Sequence, residues 1–267
     1  MAKTMKEILL GMIRMYSIMP VLAVGLYSIF SIIIGTAPGW WWWATVSGYV
    51  CIMMLGVSAG YHRLLSHRAF QVHPWTKSLL LWFAALSCQG SPIFWTTIHR
   101  GYHHRYTDQS KDPHSPQQGF WHSYILWMFK IRTGDHNTKF VVDILKDPIC
   151  VFFHKYYNHI IWISHIGIAA ISVDLWLYAV ILPAFITINS FALTNTLTHL
   201  PHLGYKNHAT NNHGVNISWL FPIVLGEAWH NNHHADAKNP CLGKRWWEID
   251  PTYWLIRLIR TDQSLNP

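Results

Sequence analysis

The chain has 267 residues, of which 51% are hydrophobic, 15% aromatic and only 12% charged. That balance excludes an ordinary soluble domain and points to an integral membrane protein. The formal charge of +8 does not indicate nucleic acid, because Lys and Arg fall between apolar stretches. The four Cys, at 51, 88, 150 and 241, lack the spacing of a disulfide framework or a thiolate zinc site.

Residues 1–20 are basic and then apolar, the pattern of an interfacial helix leading into a first span at 17–36. TAPGWWWW (36–43) supplies a turn and a Trp cluster for the headgroup level. A second span at 43–60 follows so closely that the two form a helical hairpin. The polar-aromatic region 61–155 contains an apolar stretch at 77–95, where Gln89, Gly90 and Pro92 favour a helix in or near the interface over a span. Spans at 157–173 and 174–197 make a second hairpin. The expected architecture is therefore all-α and integral to the membrane. It is a single domain over 1–267, with four transmembrane helices in two hairpins and a helical cap from 61–155 and 198–267. All twenty Lys and Arg lie in the N-terminal segment (Lys3, Lys6, Arg14), in 61–155, or after Leu200. By the positive-inside tendency both termini and the cap face the cytoplasm, at a bacterial inner membrane or the endoplasmic reticulum.

The nineteen His are bunched. WHNNHHA (229–235) places His230, His233 and His234 at i, i+3 and i+4, on one helical face and toward one metal region. GYHRLLSH holds His62 and His67, five apart and offset by about 140° on an ideal helix, so the pair flanks one site or serves two metals. HRGYHH holds His99 and His103 at i, i+4, with His104 adjacent. NTLTH adds Asn195 and His199, a ninth imidazole and an amide suited to orienting a bound water. Nine imidazoles exceed a tetrahedral zinc site, and imidazole suits iron as well as zinc or copper. Two metals is the economical count. Three Glu and a single ExxH motif exclude a carboxylate-rich centre and leave an all-histidine di-iron one. Asp108, Asp112, Glu227, Asp236 and Asp250 are candidates to accept imidazole N–H groups. His73, His136, His154, His159, His165, His202, His208 and His213 have no cluster partner and read as loop or interface residues. His114 and His122 read as supporting or headgroup residues, and Trp246 and Trp247 as packing or interface anchors.

GYHRLLSH, HRGYHH and GEAWHNNHHA resemble the three histidine boxes of the integral-membrane fatty acid desaturases, of the stearoyl-CoA Δ9 type and its bacterial acyl-lipid relatives. DPHSPQQGFW (112–121), NTLTH and KRWWEIDPTYWLI (244–256) extend the resemblance. It implies four spans under a cytosolic cap, and two irons held by His62, His67, His99, His103, His104, His199, His230, His233 and His234, with Asn195 contacting one through water. One departure stands out: the second box has three residues, not two, between its first His and the pair. An added residue rotates the pair by about 100°, so either His99 shifts or the local helix is distorted.

The implied reaction uses O2 and two external electrons to place a cis double bond, at Δ9, in a saturated acyl chain carried on CoA, carrier protein or lipid. A membrane hydroxylase or acetylenase on the same scaffold is the alternative. A metal transporter is a further one, although transporters place ligands near the midplane rather than at one side. Arg63, Arg68, Arg100, Arg105, Lys111 and Arg245 suit a phosphate-bearing headgroup and an acidic electron donor of the cytochrome b5 or ferredoxin type. An apolar tunnel between the second and fourth spans is expected, with Tyr49, Met53 or Met54 at its closed end.

Overall fold

The computed structural model describes residues 5–131 and 137–262, with side chains from Ile18 onward. Lys3 and His136 lie outside the described residues, as do the side chains of Lys6 and Arg14. The regular elements described are helical, accompanied by isolated bridges at Tyr205–Asn216 and Asn216–Trp229.

Helix α1 runs unbroken from Met5–Ile33 with Pro20 inside it, so the expected interfacial segment and first span are one element. Gly35, at φ 73°, reverses the chain, and Thr36 N–H closes the end on Ser31 O at 2.9 Å. Helix α2, Trp41–Ser66, widens after Tyr49 to i→i+5 hydrogen bonding through Val50–Ser66. Helix α3, Pro74–Leu86, is laid tightly on it: a Cβ at Gly56 would lie 2.5 Å from the Ala84 backbone nitrogen. The stretch 77–95 is not one helix. Cys88 and Gly90 take φ of 59° and 106°, and Ser91 caps a new helix, α4 (92–106), by accepting from Phe94 N–H.

Beyond α5 (120–130) and α6 (Pro148–Lys155) come α7 (Tyr157–Ile171) and α8 (Val173–Leu197). They part at Ser172, whose hydroxyl caps α8 by accepting from Leu175 N–H. Short α9 (His230–Ala235) and amphipathic α10 (Pro251–Ile259) follow near the C-terminal end.

Helices α2 and α8, with 26 and 25 residues and mean hydropathy of 1.4 and 1.8, are long and apolar enough to cross a membrane. The other two expected spans fall on the apolar part of α1 and on α7. The 15 residues of α7 rise only about 22 Å, against the roughly 30 Å of a bilayer core. Their outer faces are nonetheless apolar, with Ile33 76% and Ile163 71% exposed. Inside, Met53 and Val57 of α2, Leu80 and Leu81 of α3, Phe191 of α8 and Ile256 of α10 share one buried cluster. His165 is not a loop residue. It is buried on α7, and Trp176 Nε1 donates to its Nδ1 at 3.1 Å.

Candidate metal centre

Four segments bring the box histidines to one end of the bundle: the end of α2, the wide turn of α4, the residues just past α8, and α9. In α2 the i→i+5 pattern continues to the end, where His67 N–H bonds His62 O at 3.2 Å. The five-residue spacing therefore brings the two rings together edge-on instead of splaying them, and their centroids lie 4.9 Å apart. The same device resolves the longer second box. Thr97–His103 is also i→i+5, and His104 N–H bonds His99 O. The helix is distorted, and the His99 ring lies 4.7 Å from that of His104.

The nine imidazoles form two groups. His62, His67, His99, His104 and His233 offer ring nitrogens all within 4.8 Å of one another, and so do His103, His199, His230 and His234. The third box thus divides, against the expectation that its three rings share one target. His230 and His234, truly i and i+4, join the second group, whereas His233 points to the first. The groups touch where His104 stacks on His234 at 4.4 Å. Asn195 lies one turn before His199 and is half-buried.

Within the first group Nε2 atoms approach at 2.9 Å (His62 with His233, His233 with His104) and 3.0 Å (His67 with His99). In the second, His230 Nε2 lies 3.0 Å from those of His199 and His234. Nitrogens about 2.1 Å from one ion lie about 3.0 Å apart at a right angle and about 3.4 Å apart at the tetrahedral angle. The spacings fit a shell of more than four ligands, as does the presence of five imidazoles in one group. His103 Nε2 is buried with no hydrogen-bond partner among the described residues, an orphan that an ion would satisfy. Burial, and then the neighbouring imidazoles, push His67, His99, His104, His230, His233 and His234 well below the ordinary histidine range. They stay neutral with a lone pair to offer.

Three carboxylates lie behind the rings, and Asp112 hydrogen-bonds His103. Glu227 Oε2 lies 3.0 Å from His62 Nδ1, Asp112 Oδ2 2.9 Å from His103 Nδ1, and Asp108 Oδ1 3.1 Å from His199 Nδ1. Burial works against their ionisation. His199 beside Asp108, His114 and His103 beside Asp112, and His62 and Arg63 beside Glu227 hold all three below the usual carboxylate range. Of the other two candidates, Asp236 is exposed, and Asp250 binds Arg63 at 2.6 Å.

A match to the fatty acid desaturase family model covers residues 40–264. The chain belongs to the fatty acid desaturase family. It is similar to the sn-2 palmitoyl-lipid 9-desaturase of Nostoc sp. (strain 36), 36% identical over 78% of this chain and 74% of that one. It is also similar to the sn-1 stearoyl-lipid 9-desaturase of Anabaena variabilis (34%, covering 77% and 75%) and to Delta-9 acyl-lipid desaturase 2 of Arabidopsis thaliana (34%, covering 80% and 70%). It is thus an acyl desaturase, an oxidoreductase.

Two basic residues of this desaturase sit elsewhere than the sequence suggests. Arg63 is 1% exposed and cannot meet a headgroup, and Arg100 is spent on Asp143 at 2.7 Å and on the carbonyls of Leu65 and Ser66. His114 and His122 are buried, the first beside His103 and the second on Pro113 O at 2.9 Å. Trp246 is 89% exposed and packs little. His73, His154, His159, His202, His208 and His213 are exposed, His154 on α6 and His159 on α7, and the four Cys are free thiols.

Sequence reasoning missed the polar lock around α9. Asn216 Oδ1 accepts from the N–H groups of Asn231 and Asn232 at 2.9 and 3.2 Å, filling the helix's orphan donors. Asn232 Nδ2 donates to Leu242 O and Glu248 Oε2, both at 2.8 Å. The available signal was the paired Asn inside the third box and the lone Glu of WWEID.

Proposed function

We propose that the two histidine groups each hold one iron ion, and that the chain desaturates a saturated acyl chain at Δ9 using O2 and two electrons from a separate cytochrome b5 or ferredoxin type protein. The carrying observation is the pair of adjacent, largely buried imidazole groups of five and four members. The names of the relatives support position 9 and an acyl group carried on a lipid. Asn195 is read as reaching one ion through a water. Bound iron supplies the strong oxidant that unactivated methylene C–H bonds demand.

The chain's own residues aim and isolate that chemistry. Trp95 stacks on His99 at 4.8 Å, and Phe191 meets His62 edge-on at 6.4 Å, so the first group faces an apolar wall. Met53 and Val57 continue the wall into the core. An acyl chain between α2 and α8 would lie along it with water excluded. The exposed apolar faces of α1 and α7 support four spans in two hairpins, their thickness made up by tilt and local thinning. Termini and cap then face the cytoplasm, where exposed Arg105, Lys111 and Arg245 remain free to attract an acidic donor.

Expression in a host lacking desaturases, followed by fatty acid profiling, tests the reading. A new Δ9 monounsaturated chain in the lipid fraction is expected. Hydroxylated or acetylenic products would overturn the assignment.

A further inference from the structure

A buried guanidinium is tolerated only where anions meet it. Arg63 has two: its Nη1 lies 2.6 Å from Asp250 Oδ2 and its Nη2 3.1 Å from Glu227 Oε1. Nη1 also donates to Pro240 O at 2.8 Å. Glu227 in turn presents its other oxygen to His62 Nδ1 at 3.0 Å and accepts from the Ser58 hydroxyl. Asp250 is fixed from its own side, accepting from Leu242 N–H at 2.9 Å and Tyr253 N–H at 3.2 Å. Ion pairs thus lead from the C-terminal tail through Arg63 to Glu227, whose carboxylate lies 3.0 Å from one imidazole of the first group. The second group is oriented by Asp108 and Asp112, which belong to a different segment.

We propose that Asp250 and Arg63 are positioning residues for the first histidine group alone, holding the Glu227 carboxylate against His62. The inference rests on the reading that each group holds a metal. Two anions share the one guanidinium. With Asp250 neutral, Glu227 becomes its only counter-charge and is drawn toward Arg63 and away from His62, so the first group loses its orienting carboxylate. His199 and His103 are untouched. The tail then acts as a clasp that makes one of the two metal sites depend on residues far from it in sequence.

The test compares Asp250→Asn, Asp108→Asn and the double variant with the parent. All are full-length chains purified anaerobically in detergent and loaded with ferrous iron, with iron per chain and thermal unfolding measured together. Asp250→Asn is chosen because it keeps the size and one acceptor oxygen, whereas removing Arg63 would leave two carboxylates uncompensated in the interior. Expected are about two irons in the parent, about one in each single variant and nearly none in the double, with unfolding of the metal-free forms close to the parent. Asp250→Glu should recover the second iron. The inference is overturned if Asp250→Asn retains two irons, or if it loses both, which marks a general structural role. A parent that holds no iron overturns the underlying reading as well.

Discussion

Glu227→Gln tests the orientation of the histidine groups most directly. The carboxylate has two acceptor oxygens: one accepts from Ser58 and from Arg63 at 3.1 Å, and the other faces His62 Nδ1 at 3.0 Å. Glutamine has one acceptor oxygen and one amide donor group. The Ser58 and Arg63 donors claim the oxygen, so the amide NH2 is left facing the imidazole N–H. Two donors then oppose each other at about 3 Å between two buried side chains. His62 must rotate or exchange tautomers, and either change spoils the aim of Nε2 at the point it shares with His233. Loss of such an orienting partner lowers metal affinity about 10- to 100-fold, equivalent to about 1.4–2.8 kcal/mol. Chelator competition on the purified chain, with metal-free thermal unfolding as a check on folding, measures it. An affinity within about twofold of the parent, in a variant that unfolds at the parent's temperature, would refute the argument that this carboxylate governs His62.

Three further outcomes are expected. Gly56→Val should destabilise by about 1–3 kcal/mol or more through overpacking, since even a Cβ would meet Ala84 nitrogen at 2.5 Å; thermal unfolding in detergent reads it. Met53→Ala opens space in the buried cluster between α2 and Phe191, costs about 2–5 kcal/mol, and should shift the product profile to longer chains, with an unchanged profile removing Met53 from the closed end. Stripping metal with a chelator should lower stability by about 2.7 kcal/mol relative to protein at a hundredfold excess of metal over Kd for one site, seen as a reversible fall in unfolding temperature.

The helices that organise the bundle were legible because their signal is compositional: α2 and α8 are long and apolar, and the turn at Ser172 falls where the hydropathy pattern breaks. The histidine boxes were legible by residue type and clustering. Their division was not: in the second box rotation was reckoned at 3.6 residues per turn while Thr97–His103 is wound wider, and in the α-helical third box the roughly 100° between adjacent His233 and His234 is enough to send them to different groups. Arg63 misled for another reason. A basic residue between two clustered histidines reads as a surface cation, and only the tertiary approach of Glu227 and Asp250 removes it from the surface. The stretch 77–95 failed as one element because Cys88 and Gly90 both take positive φ before a new helix starts at Pro92; Gly90 and Pro92 signal such a break in the sequence, Cys88 does not.

The wide turns also explain how a second box with an added residue can coexist with a compact centre. In an α-turn the addition would carry His103 and His104 about 100° around the helix and away from His99. With i→i+5 bonding the extra residue is taken up within a single turn, which returns His104 to the side of His99 and leaves His103 aimed at the second group. Box spacing is therefore not what such a centre must keep. What it keeps is the position of each ring nitrogen, and helix winding and intervening residue count can change together so long as that position holds. The same coupling operates at His62 and His67, where five-residue spacing and i→i+5 winding offset one another. Deleting Gly101 alone should consequently fail, because the shortened segment would have to revert to i→i+4 winding to keep both groups supplied. Iron per chain after anaerobic loading checks this: retention of two irons would mean that winding adapts freely to the residue count.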